Sequence, residues 1–279
     1  MKIITNSVFT GERALFFGKE LKISDCVFEN GESPLKESND IVLKNCVFKW
    51  KYPVWYSKNV ELYGCVFQPT ARSGVWYTDN ISFTDCKLLC PKTFRRASRI
   101  RLKNVVLPDA KETFWSCNGI EMDNVSAAGD YFGMNSQNVR ADKLMLEGNY
   151  CFDGGKNIRI ENSVLDSKDS FWNCENVTVV NSRIIGEYIG WNSVNVTFIN
   201  CDIESLQGFC YMKNVKLVGC RLKNTTLAIE YSSVTADIDR CDSIKNPSSG
   251  VINVGDVGEL ILEPERVDIT KTKINVLKK

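Results

Sequence analysis

Short bursts of alternating apolar and polar residues return along this chain every 19 to 21 positions. One burst reads Asn59-Val60-Glu61-Leu62-Tyr63-Gly64-Cys65-Val66-Phe67, and the next Asn80-Ile81-Ser82-Phe83-Thr84-Asp85-Cys86-Lys87-Leu88. The same pattern stands at Asn214-Val215-Lys216-Leu217-Val218-Gly219-Cys220-Arg221-Leu222. Taking the asparagine as reference, apolar pairs such as Ile41/Leu43, Ile158/Ile160 and Val196/Phe198 follow one and three residues later. That is a strand with one buried face. Five residues after the reference comes a turn slot held by Asn45, Gly64, Asp85, Asn104 and Asn124, residue types that tolerate turn dihedrals. A second apolar pair follows (Cys46/Phe48, Val105/Leu107, Cys201/Ile203), and a third strand precedes the next asparagine.

A fixed period of this length means stacked coils. Three short strands per coil and no helical periodicity predict an all-β, single-stranded right-handed parallel β-helix of about twelve coils. A leucine-rich repeat shares part of the pattern, but wants leucine where this chain places Ser57, Thr78, Ala97, Cys117, Ser136 and Ser193. One domain over 1–279 is expected, with an irregular N-terminal coil at 1–38 and a less regular last coil and tail at 246–279. Without a capping helix, the strand edges at the ends point to a loop cap or to a homo-oligomer formed through the ends or a side of the coil stack.

Composition narrows the class. The chain has 279 residues, 43% of them hydrophobic, enough for a sizeable core. Lys plus Arg number 35 against 34 Asp plus Glu, so no net field recruits nucleic acid or an anionic membrane. The opening Met1-Lys2-Ile3-Ile4-Thr5-Asn6 has no run of signal-peptide type, and no segment has the length and apolarity of a membrane span; both predict a cytoplasmic location. Of twelve cysteines, Cys26, Cys46, Cys65 and Cys86 share one repeat slot, which later coils fill with Val105, Val125, Leu144, Ser163 and Ser182, then Cys201, Cys220 and Cys241. Thiols that exchange with valine and leucine are small buried hydrophobes, free in a reducing compartment. With no histidine and no CxxC pair, the usual zinc sites are not expected.

Candidate chemistry concentrates on the third strand. Leu35, Val54, Val75, Phe94, Phe114, Phe152, Phe171 and Phe209 form a core column. The next column reads Lys36, Trp55, Trp76, Arg95, Trp115, Met134, Asp153, Trp172 and Trp191. Charged members make burial of this stripe costly, so it is expected to face outward; the opposite phase, with tryptophans inside, stays open. As an outward row, Trp55, Trp76, Trp115, Trp172 and Trp191 are stacking platforms around a polar centre of Arg95, Arg96, Glu112, Asp130, Asp153, Lys168 and Asp169. Indole faces beside carboxylates and guanidinium groups suit a polyhydroxylated ligand. Stacked aromatics also stabilise successive coils without binding anything.

The third-strand segments resemble those of a bacterial family of domains of unknown function within the pectin lyase-like β-helix superfamily. The likeness rests on Gly31-Glu32-Ser33-Pro34-Leu35-Lys36-Glu37-Ser38, Trp50-Lys51-Tyr52-Pro53-Val54-Trp55-Tyr56 and Pro91-Lys92-Thr93-Phe94-Arg95-Arg96. It continues through Gly129-Asp130-Tyr131-Phe132, Phe152-Asp153-Gly154, Ser167-Lys168-Asp169-Ser170-Phe171-Trp172 and Gly186-Glu187-Tyr188. The resemblance implies the fold and carries no activity.

These readings converge on a protein that binds a carbohydrate-like or other polar small ligand along the stripe. Whether it also processes the ligand is open. An enzyme without histidine would be a hydrolase or lyase acting on sugars through carboxylates and Arg or Lys, with Asp130, Asp153, Asp169, Glu112 and Arg95 as candidate catalytic residues. The binding residues would be Trp55, Trp76, Arg96, Trp115, Lys168, Trp172 and Trp191. No cofactor is required, although a calcium ion bridged by two of the aspartates is a further reading. The alternative is a non-catalytic scaffold that binds protein.

Overall fold

A computed structural model describes residues 1–277. The chain is an all-β parallel solenoid of about 14 turns. It divides into two compact units, Met1–Met145 and Leu146–Lys279.

In the first unit each repeat lies in register on the one before it. Ile41, Val60, Ile81, Ile100 and Ile120 oppose one another in sequence, as do Leu43, Leu62, Phe83, Leu102 and Met122. All ten are buried. Phe9, Phe28, Phe48 and Phe67 continue the core as a file of rings 5.0, 4.5 and 4.8 Å apart. The second unit repeats the design with Ile158, Val177, Val196, Val215 and Val234 in one column and Ile160, Val179, Phe198, Leu217 and Ala236 in the next.

The corners explain the asparagines. Asn45, Asn59, Asn80, Asn104, Asn176, Asn195 and Asn214 all have left-handed backbone, with φ between 50° and 59°. That conformation costs most residues about 1–2 kcal/mol and asparagine less. Each side-chain amide then bonds its counterpart on the preceding coil: Asn80 to Asn59 at 2.8 Å, Asn195 to Asn176 at 3.0 Å, Asn214 to Asn195 at 2.8 Å. In these rungs the amide Nδ2 donates to the earlier coil, so a ladder starts on a group that need only accept. Aspartates fill that place: Asn59 donates to Asp40, Asn45 to Asp25 and Asn104 to Asp85.

The small column two residues before the reference asparagine has its own chemistry. Ser57, Thr78, Ser193 and Ser232 are buried, and their hydroxyls donate to core carbonyls of Leu35, Val54, Phe171 and Phe209 at 2.6–2.7 Å. Ser193 and Ser232 also accept the main-chain N–H of Cys174 and Met212, both at 2.7 Å. These hydroxyls serve backbone groups beside a left-handed corner. All twelve cysteines are free and buried, which for those of the thiol column is what exchange with valine and leucine implies.

Three expectations need correction. The third strand is mostly turn: among the described residues only Val75–Trp76 and Phe94–Arg95 pair as strands, joined by a bridge from Arg95 to Trp115. Left-handed residues on both sides, such as Tyr52 and Tyr56 or Lys92 and Arg96, keep the segment too short for a ladder. The tail after residue 246 loses the asparagine phase yet still pairs: Ser249–Ile261 lies on Ser233–Lys245, and Thr272–Val276 on Ser249–Ile261. Cys241 does not stand in the thiol column, because the register shifts between Val218 and Cys220, and Cys220 opposes Ile238.

Candidate functional site

The stripe faces outward. Trp55, Trp76, Arg95, Trp115, Trp172 and Trp191 are half-buried, while the residue before each of the first four (Val54, Val75, Phe94, Phe114) is fully buried. The candidate residues fall in both units: Trp55, Trp76, Arg95, Arg96, Glu112, Trp115 and Asp130 in the first, Asp153, Lys168, Asp169, Trp172 and Trp191 in the second.

In the first unit the row is closed on itself. The Trp55 and Trp76 rings stack 5.3 Å apart at 8°. The Arg95 guanidinium lies between the next pair, 4.6 Å from the Trp76 centroid and 4.8 Å from that of Trp115. Tyr52 sits 4.3 Å from Trp55. The indole N–H groups are also engaged, Trp55 with the Ser73 carbonyl at 2.5 Å and Trp76 with that of Lys92 at 2.9 Å. A ring whose face meets its neighbour and whose N–H meets the backbone offers a ligand little but its edge. Glu112 is taken by two cations, Lys92 at 3.0 Å and Arg95 at 3.4 Å. Arg96 leans over Tyr77 at 6.0 Å, and Tyr77 stacks on Tyr56 at 4.7 Å. Asp130 is half-buried, and its carbonyl accepts the Glu112 N–H at 2.9 Å.

In the second unit the rings are splayed. Trp172 and Trp191 are 6.0 Å apart and tilted by 32°, and Trp191 and Tyr211 are 4.8 Å apart and tilted by 43°. Tyr150 meets Trp172 edge-on at 6.2 Å, and Tyr188 meets Trp191 edge-on at 5.8 Å. The tilt opens a shallow depression of about 340 Å³ lined by Trp172, Asn173, Trp191, Asn192 and Tyr211. Asn192 donates to Asn173 and Asn173 to Asp153, both at 2.9 Å. Asp153 is therefore the accepting head of an amide ladder, and this orders the rim of the depression. Asn173, Asn192 and Tyr211 are members of the site that sequence reasoning missed. Their signal was present: they follow the tryptophan column by one residue.

Charge lies on the approach to these rings. Lys168 pairs with Glu187 at 3.0 Å, and that contact raises the lysine pKa. Asp169 is only 3% exposed, and among the described residues its Oδ1 has no hydrogen-bond partner. Burial pushes its carboxyl above the ordinary value of 3.8, with Glu187 adding to the rise; Lys168 and hydrogen bonds from Tyr150 and the Tyr188 main chain pull the other way. A carboxyl so enclosed cannot touch a ligand without first being uncovered. Among the described residues no three Cys, Asp or Glu side chains converge as a metal cage would require, and no helix is long and apolar enough to cross a membrane.

Residues 2–275 match a family model described as "Protein of unknown function (DUF3737)". The chain belongs to that family. No curated protein matches the DUF3737 sequence. Among solved structures, it is similar to the tailspike protein of E. coli bacteriophage HK620, as a double mutant, with 9% identity, 98% of this chain and 74% of that one covered, and a TM-score of 0.47. It is also similar to the A-module of the mannuronan C-5 epimerase AlgE6 of Azotobacter vinelandii, with 11% identity, 98% and 87% coverage, and a TM-score of 0.42. A third similarity is to PfbA, a surface adhesin of Streptococcus pneumoniae, with 10% identity, 86% and 69% coverage, and a TM-score of 0.38.

Proposed function

We propose that this DUF3737 protein binds a carbohydrate-like or other polar small ligand on the aromatic face of its second unit. The observation that carries the reading is the tilt of Trp172, Trp191 and Tyr211, which together with Asn173 and Asn192 line a depression. Aromatic faces cover the apolar side of a sugar ring, and amides exchange hydrogen bonds with its hydroxyls. Lys168 and Glu187 supply charge for a polar substituent. The enclosed Asp169 favours binding over turnover. The closed stack of the first unit is assigned a structural role.

The test is tryptophan fluorescence titrated with a panel of neutral and acidic oligosaccharides. A saturable change in wild type, lost in Trp191→Ala and Trp172→Ala but kept in Trp76→Phe, supports the reading. If no member of the panel perturbs the signal at millimolar concentration, the sugar reading is wrong.

A further inference from the structure

One buried carboxylate stands beside the aromatic depression. Asp169 occupies the slot three residues before Trp172. The register puts Tyr150 opposite it on the preceding coil and Tyr188 on the following one: the Tyr150 N–H donates to the Lys168 carbonyl at 2.9 Å, and the Gly190 N–H to that of Ser170 at 2.8 Å. A short side chain thus lies between two taller residues of the same file, and only 3% of it is exposed.

Its hydrogen bonds run to both neighbours. The carboxyl accepts from the Tyr150 hydroxyl and from the Tyr188 main-chain N–H. Oδ1 has no partner among the described residues, so both donors fall to Oδ2. These are the tyrosines that meet the tryptophans edge-on, Tyr150 against Trp172 at 89° and Tyr188 against Trp191 at 90°. The Tyr188 carbonyl in turn accepts the Trp172 indole N–H at 2.7 Å. Each flank of the Trp172–Trp191 pair is therefore one residue removed from the same carboxylate oxygen.

The first unit supplies the contrast. Trp55 and Trp76 make the equivalent indole bonds, to the Ser73 and Lys92 carbonyls, and the matching slot reads Tyr52, Ser73, Lys92 and Glu112. There the N–H groups of Tyr52, Ser73 and Lys92 go to carbonyls of the next coil, those of Arg72, Pro91 and Lys111. That of Tyr188 is taken by the Asp169 side chain instead. Where the slot runs on backbone bonds the two indoles lie at 8°, and where the carboxylate intervenes they lie at 32°. A binding surface keeps its geometry only when the residues behind it are themselves held. We propose that Asp169 is the positioning residue of the aromatic depression. Through Tyr150 and Tyr188 it sets the tilt of Trp172 and Trp191, and with it the affinity for the ligand proposed to bind there, a consequence that rests on that binding reading.

Two measurements on the full chain test it, the first without ligand. Indoles 6.0 Å apart couple, and the circular dichroism of the pair depends on the angle between them. Asp169→Ala is expected to change the near-ultraviolet tryptophan bands, and to change them much less in a Trp172→Phe background. Asp169→Asn keeps one oxygen for both donors and should keep the wild-type spectrum. In the oligosaccharide titration Asp169→Ala is expected to bind about tenfold more weakly than wild type, the factor of one lost hydrogen-bonded support, and Asp169→Asn within about threefold. Tyr150→Phe loses only the hydroxyl; it should move spectrum and affinity in the same direction, and it decides the matter if Asp169→Ala does not fold. The proposal is overturned if the tryptophan bands of the folded variant are those of wild type, or if they change equally in the Trp172→Phe background. A sugar that binds Asp169→Ala and wild type alike also overturns it, while leaving the binding reading intact. A panel that leaves wild type silent removes the binding reading instead, and the spectrum alone then decides whether Asp169 sets the tilt.

Discussion

Replacing Arg95 by methionine isolates the argument that the aromatic row of the first unit is structural. The guanidinium sits 4.6 and 4.8 Å from two indole centroids, and its side chain is 27% exposed. A cation over an aromatic face contributes about 0.5–1 kcal/mol when exposed and about 2 kcal/mol when desolvated. Two such contacts at intermediate burial predict a loss of about 2–3 kcal/mol in Arg95→Met. Methionine keeps much of the packing volume, and Glu112 retains Lys92 at 3.0 Å, so no carboxylate is left without a cation. Lysine keeps the charge but not the planar group, and Arg95→Lys is expected to lose about half as much. Equilibrium unfolding in urea, followed by circular dichroism, gives both values. A methionine variant within about 0.5 kcal/mol of wild type would refute the stacking argument, since that is the range of an ordinary surface substitution. The oligosaccharide response of the second unit should be unchanged in either variant.

Other consequences follow from single groups. Ser193→Ala leaves the Cys174 N–H and the Phe171 carbonyl without their partner at a buried site, and should cost about 2–4 kcal/mol in urea unfolding. Ser193→Thr should fold nearly as well as wild type, because Thr78 fills the equivalent place. Asp169 has its folded pKa raised above 3.8 by burial, so its contribution to stability is full below the unfolded value and is lost as pH rises through the folded one. Unfolding measured from acid to neutral pH should show Asp169→Asn gaining on wild type across that window; parallel curves would contradict the burial. Replacing Cys86 with valine, the residue its own slot holds at Val105, should cost less than about 1.5 kcal/mol by thermal melt.

The architecture was legible because the period is nearly constant and each slot shows its character many times over. The buried columns at Val60, Ile81 and Ile100, the turn asparagines and the hydrophobic thiols are all repeated observations. The aromatic site was legible only in part. Slot identity indicates that Trp76 and Trp191 both point outward, but not the plane of either ring. That plane is set by the next coil: Arg95 lies flat on Trp76, whereas Tyr211 meets Trp191 at an angle. Asp169 looked like any other outward charge in its slot. It is buried because it is short and lies among Tyr150, Tyr188 and the Lys168–Glu187 pair. The register slip had no advance sign, since Cys241 stands 21 residues after Cys220 as a regular repeat would place it, and only the pairing reveals it.

The one-way donation along the asparagine ladders limits where the solenoid can be lengthened. An inserted winding must both give an amide proton to its predecessor and take one from its successor, which asparagine does and aspartate cannot. Duplicating residues 177–195 would add a rung of the right polarity between Asn176 and Asn195, which already bond at 3.0 Å. The same duplication placed just before Asp40, Asp85 or Asp153 would join a new rung to a carboxylate with no proton to offer, so each aspartate marks a point where growth of that ladder stops.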